Sequence, residues 1–211
     1  MSKNMIIGVV GKYGCGKDTV ANILEKYGFK HYSISDEIRK ELLKTIGDEG
    51  SRDQWIECGN FLRRKHGNSI LAKRALQSMK EGNAVFTSIR NMGELEELKK
   101  QKNFKLIYIE VPQKLRYSRL KSRSKHKDIT TFKQFQELEE KESKGGSSEQ
   151  HMDKIIRKAD IVLKNDKGLK ELNKKIKKML KDHKVKLPQP YKRPNWDHYF
   201  MEVMESISKR G

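Results

Sequence analysis

Nine consecutive residues, Gly11-Lys12-Tyr13-Gly14-Cys15-Gly16-Lys17-Asp18-Thr19, have the types and spacing that bind phosphate. Glycines let a backbone curl around an anion so that several N–H groups point inward together. Lys17 supplies a mobile charge for terminal phosphates, and a helix opening there adds the positive end of its dipole. The stretch follows an apolar run, Met5-Ile6-Ile7-Gly8-Val9-Val10, and opens onto Val20-Ala21-Asn22-Ile23-Leu24 at helical spacing. Strand, glycine loop, lysine, helix is the order that holds a nucleoside triphosphate. The expected phosphate-binding residues are Gly11, Tyr13, Gly14, Cys15, Gly16, Lys17, Asp18 and Thr19. The plainer alternative is a structural glycine turn. After the lysine this pattern usually has Ser or Thr, whose hydroxyl ligates Mg²⁺, and here it has Asp18. A carboxylate also holds Mg²⁺ and suits the first turn of a helix. Asp18 and Thr19 are therefore the expected metal ligands.

The elements that must position this loop alternate along the chain. Short β-rich runs are expected as strands over Met5–Val10, Phe29–Ile34, Ala84–Ile89, Phe104–Val111 and Ile161–Leu163. Helical patterns begin near Lys17, Ser35, Asp53, Ser69, Met92, Lys114, Thr131, Ser148 and Leu169. This rhythm predicts an α/β fold, a mostly parallel five-stranded sheet with helices on both faces. In such sheets the site lies at the carboxyl ends of the strands. That places the glycine loop, Ser35-Asp36 and Arg90 on one rim.

A chain of 211 residues fits one core-forming domain. Cys15 and Cys58 give neither a disulfide framework nor zinc spacing, and His31, His66, His126, His151, His183 and His198 show no ligand spacing. With no signal peptide and no membrane-length run, the expected location is the cytoplasm. The net charge is +19, and lysines crowd 164–186, where ten Lys stand against Asp166, Glu171 and Asp182. Leu169, Leu172, Ile176, Met179 and Leu180 fall at helical spacing within it, so this is an amphipathic helix with a solvated lysine face. A nucleic-acid surface is the less favoured reading, because no aromatics are interleaved with the lysines.

Gly11 to Leu180 resembles the P-loop nucleotide kinases of the dephospho-CoA kinase and nucleoside monophosphate kinase type. Gly-Lys-Asp-Thr is similar to the variant in phosphomevalonate kinases and phage deoxynucleoside monophosphate kinases. Ala159-Asp160-Ile161-Val162-Leu163-Lys164-Asn165 resembles the last strand of dephospho-CoA kinases. The resemblance implies a three-layer α/β/α sandwich over 1–186, ATP as donor, Mg²⁺ as cofactor and a small-molecule nucleotide as acceptor. Ser35-Asp36-Glu37-Ile38-Arg39 resembles the segment where these kinases place an acid and an arginine at the acceptor. Asp36 would take a proton from a hydroxyl acceptor, or orient magnesium through water, and Arg39 would grip an acceptor phosphate. An ordinary helix start, capped by Ser35, fits the same residues. Arg90 stands where an anion is held by a bidentate fork, or pairs with Glu94 one turn on. Arg63 is a weaker acceptor-side candidate, with Arg52. Arg116, Arg119 and Arg123 lie on one helical face, and in this class such arginines close over donor phosphates; Arg119 and Arg123 are the expected catalytic pair beside Lys17 and Asp36. Where the third strand usually supplies an acid for magnesium, this chain has Thr87 and Ser88.

Beyond Leu187 the composition changes. Pro188, Pro190 and Pro194 read as an extended linker, followed by a helix with an apolar stripe of Trp196, Tyr199, Phe200, Val203, Met204 and Ile207. Arg193-Pro194-Asn195-Trp196-Asp197-His198-Tyr199-Phe200-Met201 resembles the opening helix of deoxycytidylate deaminases. The metal-binding His-x-Glu and Pro-Cys-x-x-Cys of those enzymes are absent, so this chain does not deaminate by their mechanism. The expected division is a kinase-like body over 1–186 and a tail over 187–211. Besides a kinase, the sequence fits a regulatory nucleotide-binding module of a deaminase-type protein.

Overall fold

Side chains that alternate between two apolar clusters decide the architecture. Along β1 (Ile6–Val10), Ile7 and Val9 enter one apolar cluster, while Ile6 and Val10 enter another on the opposite side. A strand buried on both faces needs helices above and below it. The computed structural model describes residues 4–122, 131–144, 150–185 and 196–208 and has that arrangement. With β2 (Phe29–Ser33), β3 (Asn83–Thr87), β4 (Phe104–Glu110) and β5 (Ile161–Lys164), the first strand forms a five-stranded sheet in the order β2-β3-β1-β4-β5. Every pairing is parallel.

The helices are α1 (Lys17–Lys26), α2 (Asp36–Ile46), α3 (Arg52–His66), α4 (Ile70–Gln77), α5 (Met92–Lys99), α6 (Gln113–Lys121), α7 (Phe132–Lys144), α8 (Gln150–Ile156), α9 (Leu169–Asp182) and α10 (Trp196–Ser208). One face of the sheet is covered by α1 and α9, through Val20, Leu24, Leu172 and Ile176. The other is covered by α2, α3, α4, α5 and α8, through Ile38, Leu62, Leu71, Leu95 and Ile155. The expected three layers are therefore present.

The differences from expectation are local. The third strand stops at Thr87 rather than Ile89, because Ser88 turns into the left-handed region at φ 62, where extended pairing ends. On α9 the lysine face is solvated as expected, but Leu169 at its first position is 67% exposed and does not join the apolar stripe. On α10, Phe200, Met201, Met204 and Ile207 are exposed, so the described part of that stripe faces outward. The side chains of Trp196, Tyr199 and Val203, and the three linker prolines, lie outside the described residues. Among the described residues no helix is long and apolar enough to cross a membrane.

Candidate active site

Parallel strands deliver their carboxyl ends to one rim. Register fixes what meets there: Ser33 lies opposite Thr87, and Val10 opposite Tyr108. The rim thus holds the loop after β1, Ser35 and Asp36 after β2, Ser88 to Arg90 after β3, and Asn165 after β5. The glycine loop, Ser35-Asp36 and Arg90 meet as the sequence predicts, and Asn165 joins them.

The glycine loop is bound closely on its outer side. At Gly16, which caps α1 with φ 91, an added Cβ would meet Asn165 Nδ2 at 2.9 Å. At Gly11 it would meet Cys15 Sγ at 2.6 Å, so there glycine is required by space. Arg116 Nη1 donates to the Tyr13 carbonyl at 3.0 Å, and Asn165 Nδ2 donates to the Cys15 carbonyl at 3.0 Å. In a trans peptide the C=O and the following N–H point opposite ways. Fixing these two carbonyls from outside therefore turns the Gly14 and Gly16 amides to the other side, where an anion would sit. Lys17 Nζ folds back onto the Gly11 carbonyl at 2.9 Å and lies 3.8 Å from Cys15 Sγ. Burial pushes the Cys15 thiol above its ordinary pKa, with the Lys17 charge pulling partly the other way. Asp18 is exposed and Thr19 half-buried in the first turn of α1.

Behind the loop, Arg116 is almost wholly buried. Its Nε donates to the Val111 carbonyl, its guanidinium pairs with Glu139 of α7, and it lies over the Phe135 ring at 5.5 Å. It is a brace under the loop rather than part of an arginine stripe over the phosphates. Arg119, three residues on, donates from Nη2 to the Asn165 carbonyl at 2.8 Å and so borders the loop. Arg123 lies outside the described residues.

The other half of the rim is built from hydroxyls. Ser33, Ser35 and Ser88 are joined in a triangle of 2.8, 3.0 and 3.2 Å. The Ser35 hydroxyl is thus engaged with its neighbours and does not cap α2, contrary to the plain reading of its position. Thr87, where an acid was missing, is buried and bonded to His31 Nε2 at 2.8 Å. Asp36 is exposed in the first turn of α2, and Arg39 makes a solvent-exposed pair with Glu49 at 2.9 Å. Arg63 pairs with the buried Glu94 at 2.9 Å. The Arg90 side chain is exposed and has no ion pair or hydrogen bond with any described residue; only its backbone N–H reaches Glu94.

Sequence reasoning missed the bracing residues Arg116, Asn165 and Glu139, and the serine triangle. For Glu94 a signal existed, since Asn91-x-x-Glu94 is a capping box. Nothing in the spacing pointed to Arg63 as its partner.

A parallel sheet with a phosphate loop after its central strand and helices on both faces defines a P-loop protein of kinase-like fold. Residues 7–145 match the family AAA_18, described as an AAA domain, and the chain belongs to it. It also belongs with the UPF0200 proteins: it is 31% identical over 182 residues to the UPF0200 protein of Sulfurisphaera tokodaii, covering 86% of this chain and 98% of that relative. Among solved structures it is similar to the shikimate kinase of Acinetobacter baumannii, determined with shikimate, at TM-score 0.55 and 19% identity over 88% of this chain and 97% of that one. It is also similar to TT1252 of Thermus thermophilus, at TM-score 0.53 and 20% identity over 85% and 97%. These two likenesses establish the fold.

Proposed function

We propose that this protein transfers the terminal phosphoryl group of ATP to a small phosphorylated acceptor, a (deoxy)nucleoside monophosphate or dephospho-CoA. The observation that carries this reading is one rim that combines an externally braced phosphate loop with the exposed Arg90 guanidinium, unpaired among the described residues. The amides of Gly11 to Gly16 and the side chain of Lys17 would hold the donor phosphates. Lys17 fits this task, since its present partner is a neutral carbonyl and not a carboxylate. Arg119, with Arg123, would neutralise charge on the donor side. Arg90 would hold the acceptor's phosphate, with Arg39 on the adjoining helix and Arg63 behind it through its pair with Glu94.

Among the described residues no three His, Cys, Asp or Glu side chains converge as a metal site. Mg²⁺ would sit beside the donor phosphates, held by the exposed Asp18 and the Thr19 hydroxyl. When bound it would neutralise phosphate charge. A phosphate acceptor is ionised near neutral pH, so Asp36 need not act as base and would orient groups instead. The transfer region is assigned to 1–186 and the tail to 187–211, and two free cysteines suit a reducing cytoplasm.

A second reading, a regulatory nucleotide-binding module, is favoured by Thr87, which bonds to His31 at the place of the metal-binding acid. The deciding experiment measures ADP formation from Mg-ATP with ribo- and deoxynucleoside monophosphates, dephospho-CoA and phosphomevalonate. Acceptor-dependent turnover is expected, falling about 10²–10³-fold in Lys17→Ala as a charge on the transition state is removed. Tight nucleotide binding without turnover on any acceptor would support the regulatory module instead.

A further inference from the structure

A carboxylate buried without exposure is costly unless its oxygens are satisfied. Glu94, at 0% exposure, meets that condition with more donors than its local role needs. It is the third residue of the capping box of α5, in which Asn91 Oδ1 accepts the Gly93 N–H at 2.8 Å and Glu94 Oε2 accepts the Asn91 N–H at 3.1 Å. A capping box needs nothing further. Yet Oε2 also accepts the Arg90 N–H at 2.9 Å, and Oε1 accepts Nη2 and Nε of Arg63 at 2.9 and 3.3 Å. Arg63 comes from α3, 31 residues earlier in the chain, and its side chain is only 15% exposed.

We propose that Arg63 and Glu94 are a positioning pair that keeps the Arg90 guanidinium free for the acceptor's phosphate. This rests on the reading of Arg90 given above. Glu94 Oε2 accepts the Arg90 backbone N–H, so an Arg90 side chain that folded back along its own backbone would meet this carboxylate. Left alone, a buried negative charge captures the nearest cation. Arg63 supplies that cation from another helix. The charge of Glu94 is neutralised from behind, and Arg90 remains exposed, with no side-chain partner among the described residues. The two amide bonds from Arg90 and Asn91 also fix the direction in which the chain leaves the strained Ser88. Arg63 therefore acts through Glu94 rather than on the acceptor.

The charges can be removed singly and together. In the full-length protein without nucleotide, phenylglyoxal modification of Arg90, followed by peptide mass spectrometry, reports whether its guanidinium is free. Arg63→Met is expected to slow modification of Arg90 roughly tenfold, the factor that accompanies one charge-assisted contact. Arg63→Met with Glu94→Gln is expected to restore the wild-type rate to within about twofold. If Arg63→Met does not fold, Arg63→Gln, which can still donate to Glu94 but carries no charge, replaces it and should slow modification in the same sense. An unchanged Arg90 rate in the single variant overturns the proposal.

The kinetic arm uses AMP, dCMP and dephospho-CoA as probes. Arg63→Met should raise the acceptor KM while kcat and the KM for ATP change little, and the double variant should recover most of the loss. A double variant as poor as the single one means that Arg63 touches the acceptor itself, which also overturns the proposal. Absence of turnover in the wild type rejects the kinase reading, while the modification rates still decide the pairing.

Discussion

The two halves of the rim are held in different ways. On the loop half, the Tyr13 and Cys15 carbonyls, Lys17, Arg116, Arg119 and Asn165 all have protein partners. On the β2–β3 half, Asp36 and Arg90 face solvent, and three serines hold one another across a residue in the left-handed region. The first half is organised before anything binds, whereas the second leaves Asp36 and Arg90 exposed at the rim. Preorganised dipoles need no rearrangement when charge arrives, which suits a fixed triphosphate. Exposed side chains without partners among the described residues suit a group that enters and leaves at each cycle.

The largest effect should come from breaking the braced half. Arg116→Met leaves Glu139 without its buried partner and the Tyr13 carbonyl without its donor. Loss of about 3–5 kcal/mol is expected on urea unfolding, with weaker ATP binding. If stability is unchanged, the brace is incidental and the contrast between the halves fails.

Ser88 sharpens the contrast on the open half. Ser88→Gly relieves the left-handed backbone but loses the hydroxyl, whereas Ser88→Ala loses the hydroxyl and keeps the strain. The glycine variant should be more stable than the alanine variant by about 1–2 kcal/mol, measured by thermal unfolding. Equal stabilities would mean that no strain is held at the end of β3.

The smallest effect is expected at Arg39, whose pair with Glu49 is 47% and 59% exposed on its two sides. Arg39→Ala should change stability by less than about 1 kcal/mol, because water screens such pairs. The same substitution should raise the acceptor KM if Arg39 belongs to the open half. A change confined to stability would remove it from the site.

The braced half was legible in its glycines and lysine, and opaque in its supports. Local patterns report what a residue does to its own element: the loop sequence predicts a turn and a helix start, and the alternation of apolar runs predicts the sheet. Arg116 sits on the same helical spacing as Arg119, and spacing alone does not distinguish a guanidinium directed under a loop from one at its edge. Asn165 and Cys15 meet across 150 residues, a contact that only the closed sheet creates. Ser35 illustrates the opposite error, since its position before an acidic first turn reads as a cap until Ser88 arrives from the turn after β3. The separation of Arg63 from Glu94 hid that pair in the same manner.

The central place of β1 also sets a timetable for folding. The strand that leads into the phosphate loop is the first to leave the ribosome, yet both of its neighbours, Asn83–Thr87 and Phe104–Glu110, are made much later. At about 5–20 residues per second, it waits several seconds or longer for its flanking strands. During that interval Ile6-Ile7-Gly8-Val9-Val10 is an unpaired apolar segment, open to chaperones and to other nascent chains. Of the five strands, the one that organises the nucleotide site is thus made first, and its pairing is completed only when Phe104–Glu110 has followed.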